Sequence, residues 1–177
     1  MSSVEAYLVL IGLVACQRLA ELRLSRTNLR KALARGAVEY GRGHFPVMAA
    51  LHGAFLCSCG LEVLLLHRPF PGAIGWAALC AFALAQGLRY WAIASLGDRW
   101  NVRVIVVPGD TLVVRGPYRY VRHPNYLAVA VEIATLPLVH GAYLTAIAFS
   151  ALNGALLRVR IRTEEAALSC FAGPGRA

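Results

Sequence analysis

The sequence predicts an all-α integral membrane protein with about five transmembrane helices, and three observations carry that expectation. Of 177 residues, 58% are hydrophobic and 15% charged, with a mean hydropathy of +0.58. An ordinary soluble domain has about 45–50% apolar and about 25% charged residues. A soluble core of this size could not hide so much apolar side chain, so a lipid-facing surface accounts for it. The apolar residues come in runs, and the basic residues fall between them. One compact membrane domain is the natural count at this length.

Five spans are expected: roughly 4–22, 45–66, 72–96, 125–139 and 142–157. A crossing needs about 20 mostly apolar residues, which the first three supply. The last two are short and joined by His140-Gly141 after Pro137, the pattern of a final tight helical hairpin that is kinked or shallow. Tyr7, Trp76, Trp91, Trp100 and Tyr143 lie near span ends, where interfacial aromatics settle.

Loop charge sets the orientation. Arg23, Arg26, Arg30, Lys31, Arg35 and Arg42 follow span one, and Arg99, Arg103, Arg115, Arg119 and Arg122 lie between spans three and four. Arg158, Arg160, Arg162 and Arg176 follow span five, whereas the opposite segments offer only Arg68. The positive-inside rule then places the N-terminus outside and the C-terminus in the cytoplasm. A net charge of +9 raises nucleic acid as a partner, but basic residues confined between apolar runs belong to a membrane protein instead. The first apolar run has no basic segment before it, so it reads as a first helix rather than a secretory signal.

Cys16, Cys57, Cys59, Cys80 and Cys170 form no Cys-x-x-Cys pair, and four lie in apolar runs, as small buried hydrophobes do. The five histidines show no ligand spacing, so no metal is expected. Between spans three and four, Arg103-Val104-Ile105-Val106-Val107 and Leu112-Val113-Val114 flank Pro108-Gly109-Asp110, which predicts a short cytoplasmic β-hairpin. The tail from Gly173 onward reads as frayed.

Ionisable residues inside spans are functional candidates because burying them costs free energy. Arg18 and Glu21, three apart, share a helix face and suit a local pair. Glu62 lies near the outer end of span two, can snorkel outward, and so reads as structural. Arg89, with Gln86 one turn away, either snorkels or turns into a cavity holding an anionic group. Glu132 is mid-span and has no partner on its own helix, so it must face the bundle interior. There it serves either an ion pair, with Arg89 a reasonable partner, or a substrate pocket.

The segment Gly116-Pro117-Tyr118-Arg119-Tyr120-Val121-Arg122-His123-Pro124-Asn125-Tyr126 differs from a plain connector. Pro124 has a fixed φ and no N–H, which suits the first turn of span four. His123 is held extended before it, free to face a ligand. Arg119 and Arg122 at the lipid boundary suit an anion. Tyr118, Tyr120 and Tyr126 offer π faces for an adenine or a sulfonium. Glu164 and Glu165 follow the last span and return to the same side of the membrane.

Gly-Pro-Tyr-Arg, then Arg-His-Pro-x-Tyr, a short helical hairpin and a closing Glu-Glu resemble the signature of the isoprenylcysteine carboxyl methyltransferase superfamily, over roughly residues 87–170. That resemblance divides the chain into N-terminal transmembrane helices (1–86) and a methyltransferase core (87–177). Arg18, Glu21, Ser25 and Asn28, with Leu88-Arg89-Tyr90-Trp91 and Leu96-Gly97-x-x-Trp100, are similar to a bacterial branch that methylates alkylpyrones or alkylresorcinols.

The resemblance implies a bacterial inner-membrane enzyme using S-adenosylmethionine to methylate an oxygen of a lipophilic acceptor that enters from the bilayer. It implies a cofactor set of Tyr118, Arg119, Arg122, His123, Pro124, Tyr126, Glu164 and Glu165. The reaction itself is expected to draw on Arg89 or Arg160, for the acceptor's anion, and on Glu132. Phospholipid N-methylation is the rival chemistry. Family members run on past Glu-Glu into an aromatic-bearing amphipathic segment, whereas here Ala166–Phe171 and a Gly/Pro tail follow. A non-catalytic scaffold lacking that lid is therefore a further alternative.

Overall fold

A computed structural model describes residues 2–171, so the expected frayed tail lies outside the described residues. The chain is helical, with five helices and one two-stranded sheet among the described residues. Helix α1 (Ser3–Ala34) begins with a capping box, in which Glu5 N donates to Ser2 Oγ at 3.2 Å and Ser2 N to Glu5 Oε2 at 2.8 Å. It ends at Arg35, before Gly36 in the left-handed region. Strand β1 (Val38–Tyr40) leads to α2 (His44–Leu65), and Pro71-Gly72 precedes α3 (Ala73–Leu96). Strand β2 (Val104–Val106) and a 3-10 turn at Gly116–Arg119 lie in the long loop before α4 (Pro124–Leu138) and α5 (Tyr143–Phe171).

Helices α1, α2, α3 and α5 are each long and apolar enough to cross a membrane. Helix α4, at 15 residues, rises about 22 Å and falls short of a full crossing. The chain is thus a multi-pass membrane protein closed by a helical hairpin with one short arm. The second arm runs well past the expected 142–157, carrying Arg158, Arg160, Arg162, Glu164 and Glu165 on helix. Helix α1 likewise overruns residue 22, because the charged residues beyond it are good helix formers.

The bundle core lies away from the basic loops. Tyr7, Phe55, Val63, Phe82, Ile133 and Leu136 pack there. Gly75 permits a close approach of α3, since a Cβ would come within 2.8 Å of the Val139 carbonyl oxygen. Glu62 holds structure, as expected, but by turning inward rather than snorkelling: it accepts from Thr145 N at 2.7 Å, Thr145 Oγ1 at 2.8 Å and Leu144 N at 3.1 Å, with Arg68 at 3.0 Å. A carboxylate at a helix N-terminus meets both unpaired N–H groups and the positive end of the dipole, so Glu62 ties α2 to the start of α5.

The two-stranded piece is present with another partner. Strand β2 pairs antiparallel with β1, Val38 opposite Val106 and Tyr40 opposite Val104, rather than with residues 112–114. The turn at Pro108-Gly109-Asp110 does form, with Gly109 at φ 81° and Asp110 N donating to Val107 O at 3.2 Å. Beyond it, Arg99 and Arg35 hold Asp110, and Arg99 Nη1 donates to Thr111 O at 2.7 Å, so the chain leaves the ladder. The sheet packs under the end of α5 through Val104, Val106 and Ala167.

Two other expectations are corrected. Only Cys59 is buried; Cys16, Cys57, Cys80 and Cys170 are exposed, on helix faces turned away from the bundle. Trp76 and Trp91 are exposed, as boundary aromatics are, but Trp100 and Tyr7 are buried. Tyr7 Oη donates to Leu136 O at 3.2 Å and its ring stacks on His140, satisfying the polar tip inside the bundle.

Candidate active site

Helix α4 starts where Pro124 starts it. Pro124 is buried at the first helical position, and the His123 carbonyl accepts from Leu127 N at 3.1 Å. Just upstream, Gly116 adopts φ 59° against α3, where a Cβ would collide with Ser95 Oγ. Only glycine combines that left-handed backbone with that contact. Between them, Tyr118, His123 and Tyr126 are brought to one cavity.

Helix α5 returns to the same end and delivers the acidic pair. Tyr126 Oη donates to Glu164 Oε2 at 2.5 Å. His123 Nε2 lies 3.3 Å from Glu165 Oε1, and Nδ1 lies 3.9 Å from Glu164 Oε1. The His123 and Tyr126 rings stack at 5.5 Å between centroids. Burial, reinforced by the Glu164 charge, pushes the Tyr118 phenol above its ordinary range, so it stays neutral.

These groups rim a cavity of about 420 Å³ enclosed by α1, α2, α4, α5 and residues 100–106, within the usual size of small-molecule sites. Tyr118, His123, Asn125, Tyr126 and Glu164 form its polar end. Leu19, Leu22, Leu56, Val129, Leu156 and Leu157 are among its apolar walls. A small charged group and a long apolar tail could therefore share one space. Asn125 Oδ1 is buried there with no hydrogen-bond partner, and Glu164 offers a carboxylate. An ammonium or an aromatic amine would satisfy both.

Arg160 lies one layer deeper and is 3% exposed. Its Nη2 donates to Val102 O at 2.7 Å and lies 3.5 Å from Tyr126 Oη, Nη1 contacts Met48 Sδ at 3.3 Å, and Nε has no partner. Its guanidinium sits 5.6 Å from the Tyr126 ring centroid. No carboxylate among the described residues lies within ion-pair distance of it. A buried cation without a counter-charge, beside a cavity, suits an anionic oxygen.

Arg89 is placed differently. Its Nε and Nη2 donate to the two oxygens of Glu21 at 2.8 and 2.5 Å. Its Nη1 lies 3.7 Å from Glu132 Oε2. Arg18 joins Glu21 at 2.7 Å and also pairs with Glu132. Two cations and two anions thus close on each other across α1, α3 and α4, with Gln17 and Gln86 extending the network. Arg18 and Arg89 border the cavity at its deep end, while Glu132 stands behind them.

Not every motif residue reaches the cavity. Arg119 and Tyr120 are exposed, Arg122 is 89% exposed at the side chain, and Glu165 is half-exposed behind His123. Residues outside the motif complete the site, two of them, Ser25 and Asn28, already singled out by the bacterial-branch resemblance. Ser25 and Asn28 hold residues 97–103 as a wall: Asn28 Nδ2 donates to Trp100 O at 2.8 Å and Ser25 Oγ to Asn101 Oδ1 at 2.9 Å. Asn153 contributes a buried, unpaired Oδ1, and His52 of α2 faces the same space. Each is a lone polar residue in an apolar run, spaced by whole turns from Arg160 or Met48, and that was the available signal.

Residues 76–170 match the isoprenylcysteine carboxyl methyltransferase family. The chain is 43% identical over 161 residues to the uncharacterized protein YpbQ of Bacillus subtilis (strain 168), covering 90% of this chain and 95% of that one. It is 30% identical over 155 residues to an uncharacterized protein of Haemophilus influenzae, covering 86% and 88%. The matched region contains the His123–Tyr126–Glu164 cluster, α4 and α5 almost entirely, and it places this chain in the isoprenylcysteine carboxyl methyltransferase family, as a multi-pass membrane methyltransferase.

Proposed function

We propose that the protein transfers a methyl group from S-adenosylmethionine to an oxygen of a lipophilic acceptor. The observation that carries this reading is the single cavity with two chemistries, a polar end at the motif and an apolar remainder between helices. When bound, S-adenosylmethionine supplies an electrophilic methyl group. Glu164, beside His123, holds its ammonium; Asn125 accepts from a polar N–H; the Tyr118 and Tyr126 rings favour the sulfonium. Arg160 neutralises developing negative charge on the acceptor oxygen. The apolar walls seat the acceptor's tail and exclude water, and fixing both partners in one space lowers the barrier.

The acceptor enters laterally from the bilayer. The basic end of the bundle faces the cytoplasm of a bacterial cell, where the cofactor is made, because nearly all loop arginines lie on that side. Arg89, Glu132 and Arg18 hold the helices in register beneath the site, and the exposed Arg119 and Arg122 suit the cofactor's carboxylate or an anionic lipid surface.

The test is transfer of labelled methyl from S-adenosylmethionine into a lipid extract by purified protein. An alkali-stable O-methyl ether or an O-methyl ester is expected as the product. A methylated amine would replace this reading with headgroup N-methylation, and no labelled lipid would contradict both.

A further inference from the structure

His52 lies on α2 one turn deeper than Met48, inside a run that is otherwise apolar. Its ring borders the cavity. Its Nδ1 is 2.9 Å from the Met48 carbonyl oxygen. A carbonyl only accepts, so Nδ1 carries the hydrogen. In the neutral ring Nε2 is then a bare lone pair, and it has no partner among the described residues. One hydrogen bond thereby fixes both the tautomer and the ring orientation, as in sites where a histidine acts as a base.

Around the ring, four charged side chains balance one another. The charged groups nearest it are Arg18 on α1, Arg89 on α3 and Glu132 on α4. Glu21 completes that set by pairing with Arg89, so the four sum to zero charge. On α5, Arg160 contacts Met48, one turn away from His52. Arg160 cannot accept a proton, and the two carboxylates that border the cavity are engaged, Glu21 by Arg18 and Arg89 and Glu164 by the Tyr126 hydroxyl. The pocket therefore holds a cation to receive an oxyanion and a lone pair to receive a proton.

We propose that His52 Nε2 is the proton acceptor for the acceptor's hydroxyl group, a step that rests on the methyl-transfer reading above. The hydroxyl oxygen bonds to the methyl carbon as the carbon–sulfur bond breaks with its electron pair going to sulfur. The O–H proton passes to Nε2. Positive charge moves from sulfonium to imidazolium, and the proton later leaves to water. A carboxylate acceptor has no such proton, so a histidine poised in this way fits a neutral hydroxyl, such as that of a phenol.

The test compares His52→Gln and His52→Leu in purified protein with two probes. One is a long-chain alkylphenol, neutral at pH 7; the other is a long-chain dinitrophenol, already ionised there. Glutamine keeps an acceptor near the position of Nε2 but takes no proton. Calorimetry without cofactor should give His52→Gln an alkylphenol affinity within about threefold of the unsubstituted protein, and His52→Leu one at least tenfold weaker. Methylation of the alkylphenol by His52→Gln should fall about a hundredfold or more, and that of the dinitrophenol by less than threefold.

Equal loss on both probes, or no loss on either, overturns the proposal, as does undiminished alkylphenol binding by His52→Leu. If the unsubstituted protein binds S-adenosylhomocysteine yet methylates neither phenol, the hydroxyl acceptor falls. If it binds no S-adenosylhomocysteine, the methyl-transfer reading falls first, and the cofactor-free phenol affinities still decide whether His52 meets a hydroxyl.

Discussion

Two groups of buried polar residues meet at the same cavity, and they differ in how their charges are met. Arg18, Glu21, Arg89 and Glu132 pair among themselves and leave no net charge. The set around the cavity does not close: Arg160 has no carboxylate, Asn125 and Asn153 have unpaired oxygens, and His52 has an unpartnered nitrogen. Burying charge in a helix bundle is tolerated when each group finds its partner within the protein. Leaving valences open beside an apolar cavity costs stability unless a ligand fills them. On the proposed function the first set is framework and the second is site, although the sequence marks both in the same way, as polar or charged residues within or beside apolar runs.

That distinction can be broken at either side. The largest effect is expected from Glu21→Ala, which strands Arg89 and Arg18 in the bundle. Removing one partner of a buried pair costs about 3–5 kcal/mol, so thermal unfolding in detergent should show a large drop in Tm, with activity lost through unfolding. A Tm within one or two degrees of the unsubstituted protein would show that the cluster is not framework.

Arg160→Met should do the reverse. Its midpoint should hold or rise, because a lone buried cation is removed, while methyl transfer falls about 100- to 1,000-fold, as for loss of one oxyanion-stabilising group. Binding of S-adenosylhomocysteine should persist, which assigns Arg160 to the acceptor rather than to the cofactor.

A smaller effect belongs to the wall. Ser25→Ala removes the hydroxyl that donates to Asn101 and accepts from Val102 N at 3.2 Å. A loss of about 1 kcal/mol is expected, with the Michaelis constant for the acceptor rising more than kcat falls, since residues 100–106 line the cavity. Steady-state kinetics separates the two parameters. Arg122→Ala should be smallest, because an exposed pair 3.9 Å from Glu165 contributes little. A tenfold loss of cofactor affinity there would return Arg122 to the site.

The same contrast explains what could be read from the sequence. Three spans, the side on which the basic loops gather and the meeting of His123 with Glu164 and Glu165 follow from hydropathy and chain direction alone. Glu132 facing inward, with Arg89 as a partner, follows from the cost of charge in lipid; that Arg18 would share it could not be read, because Arg18 and Glu132 are 114 residues apart in sequence. Strand β2 was recognisable from its β-branched run, but its partner was not. A ladder between residues 38 and 106 is a long-range pairing, and the local turn at Pro108-Gly109-Asp110 offered a nearer candidate. The length of α5 was hidden because a hydropathy boundary at residue 157 is not a helix boundary: Arg, Glu, Ala and Leu continue the helix into water. His52 was unreadable because a histidine in an apolar span is equally well a satisfied core residue, and only the Met48 carbonyl and the cavity distinguish the two.

The central claim, that the open set is a cofactor and acceptor site, is tested most directly by calorimetric titration of S-adenosylhomocysteine into folded, detergent-solubilised protein and its Glu164→Gln variant. The account predicts saturable binding by the unsubstituted protein. It predicts at least tenfold weaker binding by Glu164→Gln at an unchanged Tm, since one charge-assisted contact in the cavity is lost. No binding by the unsubstituted protein, or equal affinity in the two proteins, would contradict it.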